Sequence, residues 1–73
     1  MLGIGAPLLS MQEAEAIARG DAEQRGWGWV EPISRTETLR GYCFRTATDR
    51  RGGNVKIVVR GDGEITDAWF APL

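Results

Sequence analysis

Val55-Lys56-Ile57-Val58-Val59-Arg60-Gly61-Asp62-Gly63-Glu64-Ile65-Thr66-Asp67-Ala68-Trp69-Phe70 reads as two strands folded back on each other through an Asp-Gly turn. Alternating apolar residues on either side of Asp-Gly are among the strongest short-range hairpin signals. Successive side chains of a strand point to opposite faces. Val55, Ile57 and Val59 therefore share the core side, and Lys56, Val58 and Arg60 the other.

The turn length decides what lies opposite. A two-residue turn on Asp62-Gly63 pairs Arg60 with Ile65, Val58 with Asp67, Lys56 with Trp69 and Val55 with Phe70. A three-residue loop, Gly61-Asp62-Gly63, shifts the second strand by one place and flips its faces. Asp67 would then enter the core, and burying an unpaired carboxylate is expensive. The two-residue turn is preferred for that reason. It puts Trp69, Ile65 and Val58 on the outer face, ringed by Lys56, Arg60 and Asp67, with Lys56 across from Trp69 for a cation–π contact.

Upstream, Ser10 followed by Glu13 is a capping-box pattern, with Leu9 placed to staple onto Ala14. Acids crowd the first turns, Arg25 stands near the end and Gly26 suits the residue after the last turn. The pattern predicts a helix over residues 11–25. Met11, Ala14, Ile17, Ala18 and Ala22 fall on one face. Most are small, so the helix should lie close to a sheet. Gly20 weakens it by up to about 1 kcal/mol unless the sheet needs close approach there.

Between helix and hairpin, residues 27–33 read as a strand with Pro32 arguing for an edge. Residues 39–48 read as a second strand, and 49–54 as a turn. The expected fold is α+β: one helix on a four-stranded antiparallel meander, with residues 1–9 as a loose arm and 10–73 as one domain. Either Tyr42 and Phe44 face the helix, leaving Cys43 outside, or the opposite register holds. One helix covers one side of such a sheet. The other side is left with an indole and aliphatics, unless Leu2, Ile4 and Leu8 of the arm fold across it or a second copy covers it.

A chain of 73 residues buries only roughly 60% of its unfolded surface, so it depends on good packing or on a partner. Cys43 is the single cysteine and there is no histidine, which excludes an internal disulfide and disfavours structural zinc. The net charge of −1 excludes the broad basic field of a non-specific nucleic-acid binder. Residues 1–37 carry six acids and three arginines, residues 38–73 six bases and four acids; this is either ordinary solvated charge of both signs or a basic sheet surface awaiting an acidic partner. Eight arginines against one lysine suggest a GC-rich bacterial genome. The apolar opening lacks the layout of a secretory signal and is too short to span a bilayer. A cytoplasmic protein is expected, consistent with an unpaired cysteine.

Trp27-Gly28-Trp29 is either an aromatic clamp or a cap on the core between helix end and sheet. Gly61-x-Gly63 and Gly52-Gly53 do not lead from strand into helix, so they read as turns and not as phosphate cradles. Arg50-Arg51 on a glycine-rich loop is either a solvated turn or part of a single-strand nucleic-acid reader. Cys43 has no histidine to serve as its base, and the acids lie on the helix surface and in turns. Neither catalysis nor a cofactor is expected.

The helix Glu13-Ala14-Glu15-Ala16-Ile17-Ala18, the Trp/Pro segment, Tyr42-Cys43-Phe44 and the closing Val55-x-Ile57-Val58-Val59-x-Gly61-Asp62-Gly63-Glu64-Ile65 resemble two groups. One is the PepSY-type domains; the other is the small bacterial immunity proteins of the YrhB/immunity-protein-35 kind. The resemblance covers residues 10–70 and implies a non-enzymatic protein that binds and restrains a peptidase or a toxin. It carries over no functional residue. The reading is a protein-binding domain whose contact patch is Trp69, Lys56, Val58, Arg60 and Ile65, with Trp27 and Trp29 second. The partner is another protein or a second copy, with no membrane. The alternative is a ligand- or nucleic-acid-binding module using Trp27, Trp29 and the Arg50-Arg51 loop.

Overall fold

The computed structural model describes residues 8–72. Helix α1 (Met11–Gln24) is followed by strands β1 (Ser34–Glu37), β2 (Gly41–Arg45), β3 (Asn54–Arg60) and β4 (Ile65–Ala71). The strands form one antiparallel meander in the order β1-β2-β3-β4, so the architecture is α+β.

The helix begins and ends by local chemistry. Ser10 Oγ accepts from the Glu13 N–H at 3.1 Å, and Glu13 Oε1 accepts from the Ser10 N–H at 2.9 Å. At the other end Gly26 takes φ +79°. The Gly26 N–H donates to the Glu23 carbonyl and the Trp27 N–H to the Ala22 carbonyl, a Schellman cap. Ala14, Ala18 and Ala22 are fully buried against Phe44, Val55, Ile57 and Val59. The alanines leave the helix backbone almost on the sheet. Gly20 is not part of that contact: a Cβ there meets nothing within 4 Å. Gly20→Ala is therefore expected to stabilise the protein by about 0.5–1 kcal/mol, read as a higher urea midpoint at unchanged slope.

The expected loose arm is fixed at its last residue. The Leu9 N–H donates to the Gly61 carbonyl at 3.1 Å, and Tyr42 Oη donates to the Leu9 carbonyl at 2.7 Å. Of the expected cover for the outer face, Leu2 and Ile4 lie outside the described residues, and Leu8 stands 78% exposed near Gly61 and Arg40.

The strand expected over 27–33 is corrected: β1 begins at Ser34. Gly28 and Pro32 interrupt the ladder, and the two indoles pack onto the core in place of a flat strand. The segment is held instead by single bonds, from the Ala47 N–H to the Val30 carbonyl and from the Thr48 N–H to the Pro32 carbonyl. β2 ends at Arg45, not Thr48, because Ala47 turns into the left-handed region at φ 51°. Phe44 is fully buried and Tyr42 packs on the core, so Cys43 faces outward.

The preferred two-residue turn is also corrected. The Arg60 N–H donates to the Glu64 carbonyl and the Gly63 N–H to the Arg60 carbonyl. Only Gly63, at φ +95°, is left-handed in the loop. This is a three-residue loop, a turn on Gly61-Asp62 closed by a left-handed glycine. Asp67 nevertheless stays out of the core. Val59 pairs with Ile65 but Val58 pairs with Asp67, so Thr66 is an extra residue bulged out of β4. The bulge cancels the one-residue slip of the loop, and Val55 still pairs with Phe70 and Lys56 with Trp69. Deleting Thr66 leaves Ile65 inward and Asp67 outward in a regular ladder. That deletion is expected to keep cooperative unfolding with Tm within about 5 °C of the parent, checked by calorimetry.

Candidate docking face

The helix packs on β2 and β3 from one side, and no other described element lies across the outer side. Three rows run over that side by strand register. The first is Ser34–Arg45–Lys56–Trp69, the second Thr36–Cys43–Val58–Asp67, and the third contains Gly41 and Arg60. Trp69 is 54% exposed, while Val58 and Cys43 are half-buried between their neighbours. Trp69, Val58, Lys56 and Arg60 therefore share one face, as strand parity predicts.

Ile65 does not belong to that patch. The bulge at Thr66 turns it inward, opposite Val59, and it packs against the core. The expected Lys56–Trp69 cation–π contact is also absent among the described residues; Lys56 Nζ lies 3.6 Å from Asp67 Oδ2 instead. The cation over an indole is Arg25, whose guanidinium carbon is 5.1 Å from the Trp27 ring centre.

Trp27 and Trp29 are cap residues of the core. Trp27 stacks on Phe70 at 5.5 Å with an interplanar angle of 11°, and Trp29 tilts against Phe44 at 6.3 Å. Phe44 and Phe70 belong to the helix side of the sheet, so the two indoles lie on the side away from Arg45 and Lys56. The Trp29 Nε1–H is buried with no acceptor at hydrogen-bond geometry. The depressed pKa of Glu15 comes chiefly from its bidentate pair with Arg35 at 2.6 and 2.9 Å.

Arg60 is held by its own hairpin. It donates to Asp62 Oδ2 at 2.7 Å and to Glu64 Oε1 at 2.6 Å. The guanidinium first, then the Glu64 N–H, hold the Asp62 carboxyl down at about 2, from an ordinary 3.8. Arg50 likewise forks onto Asp49 at 2.7 and 3.2 Å and keeps that carboxyl below its usual range. Arg45, by contrast, has no carboxylate within 4 Å among the described residues.

At the Arg50 end of the face lies an open concavity of about 580 Å³, bounded by Ser34, Arg45, Thr48, Arg50, Lys56 and Trp69. No carboxylate among the described residues lines it. Its floor is organised by Asn54, a residue the sequence reading passed over as part of a turn. Asn54 Nδ2 donates to the carbonyls of Thr46, Ala47 and Arg50, while its Oδ1 accepts from the Gly52 N–H at 2.9 Å. Leu39, fully exposed in the β1–β2 turn, and Leu8, 78% exposed, border a second concavity of about 370 Å³ at the far end. The second strand, expected from residue 39, begins at Gly41, which leaves Leu39 in the turn before it.

Among the described residues no helix is long and apolar enough to cross a membrane. No group of three or more His, Cys, Asp or Glu gathers where it would hold a metal ion. Comparison with protein-family models, with curated proteins and with solved structures found no match.

Proposed function

We propose that this protein is a small non-catalytic binding module, acting in the cytoplasm, that docks on another protein through the outer face of its sheet. One observation carries the reading. Trp69 stands 54% exposed on the edge strand β4 of a β-layer whose other side alone is covered by the helix. Val58 and Cys43 extend the apolar ground beside it, and Lys56, Arg60 and Asp67 form a charged rim. An apolar patch rimmed by charge marks interaction sites, and tryptophan is enriched among the residues that dominate interface energy. The resemblance to domains that restrain other proteins agrees with this class. The competing ligand or nucleic-acid reading required Trp27 and Trp29 as a clamp. Their packing on Phe70 and Phe44 removes that support.

The test begins with a protein captured on the immobilised full chain, then purified and titrated against it. Trp69→Ala is expected to weaken that complex by about 30-fold, the effect of losing one dominant interface residue. The fold should remain unchanged by circular dichroism. An affinity unmoved by Trp69→Ala would refute the reading. Light scattering across concentration gives the second arm. Self-association abolished by Trp69→Ala would identify the partner as a second copy.

A further inference from the structure

We propose that the concavity between Ser34, Arg45, Arg50, Lys56 and Trp69 is a carboxylate-binding subsite, and that the docked partner lays an acidic segment into it. This rests on the docking reading above and names the chemistry of the partner. Three cations converge on the concavity and no carboxylate lines it among the described residues. Two of the cations have only surface partners. Lys56 pairs with Asp67, 56% exposed, and Arg50 with Asp49, 54% exposed. The single 3.6 Å Lys56–Asp67 contact is weak and open to exchange, whereas Asp49 holds Arg50 by a bidentate fork. Arg45, central in the row, has no acid partner at all among the described residues.

The row Ser34–Arg45–Lys56–Trp69 crosses all four strands. Neighbouring side chains across a sheet stand roughly 5 Å apart, so the strip is about 15 Å long. It offers, in order, a hydroxyl, a guanidinium, an ammonium and an indole. An arginine fork matches a carboxylate bidentately, and the indole provides ground for an apolar side chain beside it. A peptide mixing glutamates with a leucine satisfies both. Single-strand nucleic-acid readers instead stack successive bases on several exposed aromatic residues. Here Trp27, Trp29, Tyr42, Phe44 and Phe70 all pack on the core, leaving Trp69 as a single platform.

The probe is a 12-residue Glu–Leu peptide, (Glu-Leu-Glu-Glu)3, titrated into the full chain while amide and indole resonances are followed. Its Gln–Leu counterpart and octathymidylate serve as comparisons. Saturable shifts at Arg45, Lys56 and the Trp69 indole are expected from the Glu–Leu peptide, and none from the Gln–Leu peptide. Arg45→Ala and Lys56→Ala should each weaken binding by roughly fivefold, the effect of losing one rim ion pair. Arg40→Ala should not, since Arg40 borders the far concavity. Equal response to the Gln–Leu peptide would overturn the acidic partner and leave docking on Trp69 standing. Equal weakening by Arg40→Ala, or tighter binding of octathymidylate than of the peptide, would also overturn the inference. So would silence toward both peptides, and docking on Trp69 would then be judged by the captured complex alone.

Discussion

Gly41→Ala is expected to destabilise the protein by roughly 3 kcal/mol, through overpacking that nothing nearby can relieve. A Cβ on Gly41 would collide with the Val59 carbonyl oxygen. It would also lie 2.8 Å from Arg60 Cα and 3.0 Å from the Arg60 carbonyl carbon. All three are backbone atoms of β3, so no side chain can rotate aside, and the β2–β3 ladder must open at this end. Several ties converge there. The Thr38 N–H donates to the Gly41 carbonyl, the Gly61 N–H to the Arg40 carbonyl and the Leu9 N–H to the Gly61 carbonyl. Opening the ladder therefore loosens the β1–β2 turn, the β3–β4 loop and the chain entering the helix together. A chain of this length has about 4–11 kcal/mol of stability in all, so the variant should unfold at a much lower urea concentration. Gly28→Ala is the control. Its Cβ meets only Val30 Cγ2, at 3.5 Å, and it should change stability by less than about 0.5 kcal/mol. Equal urea midpoints for the two variants would refute the steric argument.

The parts of this fold legible in the sequence are those decided within a few residues. Ser10 with Glu13 and the left-handed Gly26 bound the helix by hydrogen bonds that close locally. The outward position of Trp69 followed from strand parity, because one buried carboxylate at Asp67 costs more than any alternative register saves. The loop length was not legible. Glycines stand on both sides of Asp62, and either loop length can be built from them. The choice was made by Thr66, which bulges without any sequence mark of its own and reverses parity between Asp67 and Ile65. Ile65 was therefore assigned to the wrong face although Asp67, two residues on, was assigned to the right one. Trp27 and Trp29 read as strand residues by composition, but their position is set by Phe70 and Phe44, more than a dozen residues away in the chain. The concavity was hidden for the same reason. It needs residues from all four strands and from the loop pinned by Asn54.

Phe44→Ala should be the most damaging truncation in the core, at about 3–5 kcal/mol. Phe44 is the largest fully buried side chain. Its ring lies between Trp29, 6.3 Å away, and Tyr42, 6.5 Å away. The cost of such a truncation depends on how far the surroundings can collapse into the hole. Here they have little means to do so. The helix presents Ala14, Ala18 and Ala22 to the sheet, and alanine has no rotamer that swings a methyl into a void. The helix itself is anchored at both ends, by Leu9 on Gly61 and Tyr42 and by the Trp27 indole on Phe70. Filling the cavity requires moving it as a body. A loss of 3–5 kcal/mol against about 4–11 in total removes roughly a quarter or more of the stability, read as a much lower urea midpoint for the near-ultraviolet dichroism of the tryptophans. Phe44→Leu keeps most of the volume and should cost about 1–1.5 kcal/mol. The loss would reach the outer face as well, since Cys43 and Arg45 are the immediate neighbours of Phe44 on β2. A Phe44→Ala variant that loses less than about 1.5 kcal/mol would show that the helix does settle into the gap, and that the alanine contact is not rigid.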